Sequence, residues 1–143
     1  MTSKREQVLV AVKALVQAAL PTAAVSRNQD KAAQIGPGGA VDIRDGDPGE
    51  PEIDLSPLSY NYSHAIELVF GAYGSASLTP GQQLDAMQRA VGAAVEADRT
   101  LGGLCHFLAT AAPDRGELDI AGAESGAQAE AAIIADYSTP SPL

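Results

Sequence analysis

The chain of 143 residues has one cysteine, Cys105, so it can form no internal disulfide. A lone thiol suits a reducing compartment, and without a CxxC pair there is no advertised zinc site. Tryptophan is absent and only six residues are aromatic, four Tyr and two Phe. No apolar run approaches the roughly 20 residues that a helix needs to cross a bilayer. Met1 to Gln7 is charged and lacks a signal-peptide cleavage pattern, which sets a cytoplasmic expectation. Cations are scarce and unevenly placed. No Lys or Arg lies between Asp45 and Gln88, where seven carboxylates do, and none follows Arg115, where five more occur. With a formal net charge of −9, the chain is a poor candidate for gripping phosphate backbones, because that binding needs Lys and Arg.

What is there suits one domain over residues 1–143. The hydrophobic fraction is 45%, but 27 of those residues are alanine, so the large apolar side chains can fill only a small core. With 14 glycines and 9 prolines, long loops on that core are expected.

Ser3-x-x-Glu6 reads as a capping box. Val8, Leu9, Val12, Leu15, Val16 and Ala19 then form the stripe of an amphipathic helix over 3–19, which Pro21 stops. Ala23 to Asn28 reads as a short strand, Asn28 to Gln34 as a turn or one helical turn, and Gly36 to Gly39 as a loop. Val41 and Ile43 alternate with Asp42 and Arg44, as in a half-buried strand. Asp45-Gly46 is a turn signal, and 45–57 reads as an acidic Pro/Gly-rich loop with Ile53 and Leu55 alternating near its end. Tyr60, Tyr62, His64, Ile66, Leu68 and Phe70 share one face of a long strand. After a small-residue linker, Thr79-Pro80-Gly81-Gln82 supplies a capping residue, a proline at the first helical position and a glutamine to close the box. Leu84, Met87, Val91, Ala94 and Val95 carry that second helix to about Ala97. Leu104 to Thr110 fits either strand or helix. Glu117 to Ala121 and Ala131 to Ser138 read as two strands joined by a Gly/Ala/Ser segment, and 139–143 as a short tail. Two helices among several strands predict an α+β fold: a mostly antiparallel sheet packed against two main helices.

Few residues carry a chemical signal. Asp42, Asp45, Asp47, Glu50, Glu52 and Asp54 crowd six carboxylates into thirteen positions, which invites hard-cation binding. Their spacing departs from the calcium-loop pattern, so a solvated loop is the preferred reading and a small metal-dependent enzyme the lesser one. Cys105 and His106 are adjacent and must point apart on a strand or a helix. His64, on the aromatic face, reads as a packed or interface histidine. Gly122 to Gly126 lacks the spacing of a nucleophile elbow, and Gly36 to Gly39 lacks the Lys-Ser/Thr of a phosphate loop. The residues favour an assembly or interaction protein, with no catalytic group, cofactor or metal ligand assigned.

One string adds to this. Asp98-Arg99-Thr100-Leu101-Gly102-Gly103 resembles the D-x-T-L-G-G element of tail terminator (tail completion) proteins of long-tailed phages and gene transfer agents. The N-terminal helix, the strand through Val25, the Asp45-Gly46 turn, the Tyr60-x-Tyr62-x-His64 strand, the second helix and the final Tyr137-Ser138-Thr139 are similar in order to that family. Ser138 stands where the family pattern expects a basic residue. The resemblance implies a virion structural protein, a homohexameric ring on the head-proximal end of the tail tube. Such a ring stops tube polymerisation and offers the docking surface for the head–tail connector protein. Its partners would be its own copies, the tail tube protein and the connector, with DNA passing through the lumen unbound and no membrane involved. It would sit at the head–tail junction, and in the host cytoplasm during assembly. Within that picture Asp98, Thr100, Leu101, Gly102 and Gly103 are the candidate interface. Asp45, Asp47, Glu50, Glu52 and Asp54 are the candidate lumen or tube-facing loop. The alternatives are a head–tail connector or stopper ring, and, for the string itself, a helix end in which a glycine supplies a left-handed residue.

Overall fold

A computed structural model describes residues 2–28, 38–74, 76–118 and 126–143, with only the backbone described over 113–118. The first helix, α1, spans Lys4–Ala19, and the Ser3 side chain caps it by accepting from the Glu6 N–H at 3.2 Å. Val8, Leu9, Val12 and Val16 form its buried stripe. The second, α2, spans Pro80–Ala97 and opens with a complete capping box. The Thr79 hydroxyl accepts from the Gln82 N–H and the Gln82 side chain accepts from the Thr79 N–H. Its buried apolar face is Leu84, Met87, Val91 and Val95. These boundaries follow from local rules, because a cap and a stripe are both written in consecutive residues.

The strands are β1 (Ala24–Arg27), β2 (Ala40–Arg44), β3 (Glu52–Leu55), β4 (Leu58–Ala72), β5 (Phe107–Leu118) and β6 (Gly126–Thr139). They form one sheet in the order β1-β2-β4-β6-β5, with β3 paired to the first residues of β4. Among the described residues only β1 and β2 run parallel. The long β4–β6 pairing, from Tyr60 opposite Thr139 to Ala72 opposite Ala127, is the spine. Period-two alternation decides which face is covered. Tyr62, His64, Ile66, Leu68 and Phe70 are buried under the helices, while Ser63, Ala65 and Glu67 are exposed. Val41, Ile43, Leu108, Ile133, Ala135 and Tyr137 complete the core face. The fold is α+β as expected, with both helices contributing to that single core.

Three expectations change. Residues 45–57 are not loop throughout: Glu52–Leu55 is a strand, turned back onto β4 through Ser56 and a cis Pro57. The ambiguous segment Leu104 to Thr110 enters a strand at Phe107, and β5 then continues to Leu118, with a register shift between Ala111 and Asp114. The last strand starts five residues before the predicted Ala131, at Gly126. The predicted turn at 29–34, the loop residues 36 and 37, strand residues 119–121 and the segment 122–125 lie outside the described residues.

Candidate functional site

The acidic segment begins where β2 and β3 leave a gap along β4. β2 pairs with Glu67 to Gly71, and β3 with Leu58 to Asn61. The chain crosses the gap at Asp45-Gly46. Gly46 has φ +66°, and a Cβ there would stand 2.7 Å from the Ala65 carbonyl oxygen, so no other residue fits without strain.

A polar chain fixes this crossing. Arg27, at the end of β1, reaches both ways. Its Nη1 and Nη2 donate to the Glu6 carboxylate at 2.7 and 2.9 Å, and its Nε and Nη2 donate to the Asp45 carboxylate at 2.7 and 2.9 Å. Two paired forks of this kind fix orientation as well as charge. The Asp45 N–H donates to Asn28 Oδ1 at 3.1 Å. Hydrogen bonds from Arg27 hold the Asp45 and Glu6 carboxyls below their ordinary values, and the same bonds push the guanidinium further up.

The Asp45 carbonyl oxygen continues the chain inward to His64, whose ring is fully buried. His64 Nε2 lies 2.5 Å from that oxygen, which can only accept, so Nε2 carries the proton. The Tyr137 hydroxyl then donates to Nδ1 at 3.1 Å. Burial lowers the imidazole from its ordinary 6.5, and burial likewise raises the Tyr137 phenol to about 12. The ring is therefore a neutral relay between a loop carbonyl and a core phenol. His64 is packed, as its place on the aromatic face predicts. Its partners were not legible, because Tyr137 reaches it only through the β4–β6 register.

The Asp98–Gly103 string is a built turn. The Asp98 carboxylate accepts from the Gly102 N–H at 3.0 Å, and the Thr100 carbonyl accepts from the Gly103 and Cys105 N–H groups at 3.0 and 2.9 Å. Three successive residues have positive φ: Leu101 at +52°, Gly102 at +67° and Gly103 at +94°. A simple helix end needs one such residue. Asp98, Thr100, Gly102 and Gly103 stay at least partly accessible. Leu101 does not. It is 5% exposed and packed in the core, where it anchors the turn.

The acidic candidates also separate. Asp47, Glu50, Glu52 and Asp54 are exposed. Asp45 is half-buried, and Arg27 takes its carboxylate and clasps the segment to β1. Asp47 accepts from the Gly49 N–H at 2.8 Å, and Asp54 from Asn61 Nδ2 at 3.0 Å, so these groups are spread along the segment and do not converge. Among the described residues no three His, Cys, Asp or Glu side chains are grouped to hold a metal ion. Cys105 is buried and its thiol is pushed up to about 11 by that burial, while His106 faces outward.

One pair was not anticipated. His106 Nε2 lies 2.6 Å from Ser138 Oγ, the spacing of a nucleophile and its base. The serine proton is engaged elsewhere, because Ser138 Oγ donates to Asn61 Oδ1. The Asn61 amide orientation is set by its Nδ2, which must donate to Asp54. The imidazole thus donates to Ser138, which leaves the hydroxyl unactivated. The arrangement ties β4, β6 and the entrance to β5 on the open face of the sheet.

No protein-family model matches the chain, and no curated protein is significantly similar to it. Among the described residues no helix is long and apolar enough to cross a membrane.

Proposed function

We propose that this chain is the subunit of a tail terminator ring, which closes the head-proximal end of a tail tube and receives the head connector. The observation that carries the reading is the Asp98–Gly103 turn. The residues that bear the resemblance form one bonded unit: Asp98 holds Gly102, the Thr100 carbonyl holds Gly103 and Cys105, and Leu101 pins the turn to the core. A plain helix stop would not need all of these groups.

Charge supports the same reading. The open face of the β4–β6 spine carries Glu67, Glu130 and Asp136, and neither strand contains a Lys or Arg. A lumen wall of this kind repels phosphates and lets DNA slide past without adhering. Glu52 and Asp54 of β3, with Asp47 and Glu50 ahead of it, extend the acidic surface past that spine. Ring closure needs a head-to-tail contact between two different patches of the same subunit, repeated until the rotation closes.

Deletion of the gene, followed by negative-stain microscopy of the particles, tests the proposal. A terminator's loss gives overlong tubes and unattached heads. Tails of normal length that fail only to join heads would point to a stopper ring, and normal virions would end the reading.

A further inference from the structure

Residues 45–51 join β2 to β3 without pairing to β4. They pass over the buried His64 ring. A Cβ on Gly46 would stand 4.0 Å from His64 Nε2, and Pro48 shares a small recess with Tyr62 and Tyr137. Asp45 alone ties this crossing down. Its N–H goes to Asn28, its carboxylate to Arg27 and its carbonyl to His64. Among the described residues, 46–51 make no hydrogen bond to the body, and the Gly49 N–H turns back to Asp47.

The covered ring has no provision for a charge. Nε2 meets a carbonyl and Nδ1 a phenol, and no carboxylate among the described residues bonds to it. The groups that face it do not compensate one either. Arg5 of α1 repels a positive ring, and burial keeps the Tyr137 phenol of β6 neutral, beside the Tyr62 ring of β4. Asp45 and Asp47 attract a positive ring, but Arg27 of β1 holds the Asp45 carboxylate and Asp47 is exposed. Lifting the crossing reverses this balance, because water reaches the ring and the crossing carboxylates can turn to it. The Arg27 clasp keeps its own charges between pH 7.5 and 5.5, since Glu6 and Asp45 are held below their ordinary 4.5 and 3.8. His106, the other of the two histidines, is bonded to Ser138 on the open face of the sheet.

We infer that the Asp45–His64 contact is an acid-sensitive latch: protonation of the ring favours a form in which the crossing 45–51 is lifted while the sheet and helices stay folded. Lifting frees the acidic segment and loosens the base of β3 at the same time. This goes beyond the ring reading and does not depend on it.

Amide hydrogen exchange of the full chain, followed by NMR at pH 7.5 and 5.5 in zero to low urea and corrected for intrinsic rates, tests it. The Asp45 N–H reports the crossing and the Val91 N–H, within α2, reports the body. If the lifted ring titrates at the ordinary 6.5, Asp45 protection falls by up to about tenfold between the two pH values. Because the opening is local, Asp45 exchange should be almost insensitive to urea, whereas Val91 should follow the slope of global unfolding. His64→Gln keeps a donor but cannot titrate, and its Asp45 protection should be the same at both pH values. His64→Phe replaces it if the glutamine variant does not fold, and the wild-type measurements decide even if neither folds. An Asp45 amide unprotected at pH 7.5, protection that does not change with pH, or a urea slope equal to that of Val91 would overturn the latch. An equal fall in the His64 variants would overturn it too.

Discussion

His64 shows most clearly how one residue ties sequence to loop geometry. Its two nitrogens join the Asp45 carbonyl to the Tyr137 hydroxyl in a fully buried position. Phenylalanine fills similar space but leaves both partners unsatisfied, at about 1–3 kcal/mol for each buried group. His64→Phe is accordingly expected to lose roughly 2–4 kcal/mol in urea unfolding. The pH dependence follows from the direction of the shift. A histidine lowered from 6.5 contributes its full stability above that pH, and loses it as pH falls toward the folded value, because the unfolded chain takes up the proton first. Melting temperature should decline from pH 6.5 downward, and His64→Phe should flatten that part of the curve. Asp45 and Glu6 are held below ordinary values of 3.8 and 4.5, so their contribution persists above those values and disappears only in stronger acid. Leu101 makes a different point at the same scale. Its side chain is in the core although its backbone is left-handed. Leu101→Asp is therefore expected to give a chain that does not fold, read as loss of the cooperative melting transition. A folded subunit that only fails to assemble would contradict its placement as an anchor.

Among the elements, those governed by neighbouring residues were legible and those governed by pairing were not. Both helices could be bounded from Ser3, Pro21 and the Thr79-Pro80-Gly81-Gln82 start, because each signal acts within one turn. The face of β4 was equally plain, since Tyr60 to Phe70 alternate without a break. β3 was hidden by the prolines and acids around it. Its alternation at Ile53 and Leu55 was visible, but what makes it a strand is hydrogen bonding to β4. β5 was hidden for another reason: Leu108, Ala109, Thr110 and Ala111 have no strong preference, and register with β6 decides. The same distinction applies to the site. The Asp98–Gly103 string could be picked out in one dimension, but the burial of Leu101 could not. The capping box gives a direct check on the local account. Thr79→Ala is expected to cost about 1 kcal/mol, measured as a lower urea midpoint at unchanged slope, because it removes one partner of a reciprocal pair.

For the molecule as a whole, the distribution of charge and cover matters more than any single group. The helices cover one face of the sheet, the spine of the other face bears carboxylates without cations, and an apolar hairpin extends beyond the covered area. The clasp from Glu6 through Arg27 and Asp45 to His64 holds the base of that hairpin segment against the body. These features suit a subunit whose work is to fit its neighbours. Gold-labelled antibody against this chain, applied to purified particles and viewed by electron microscopy, tests that claim most directly. The account predicts label concentrated where the tail meets the head; label spread along the tail, or none at that junction, would contradict it.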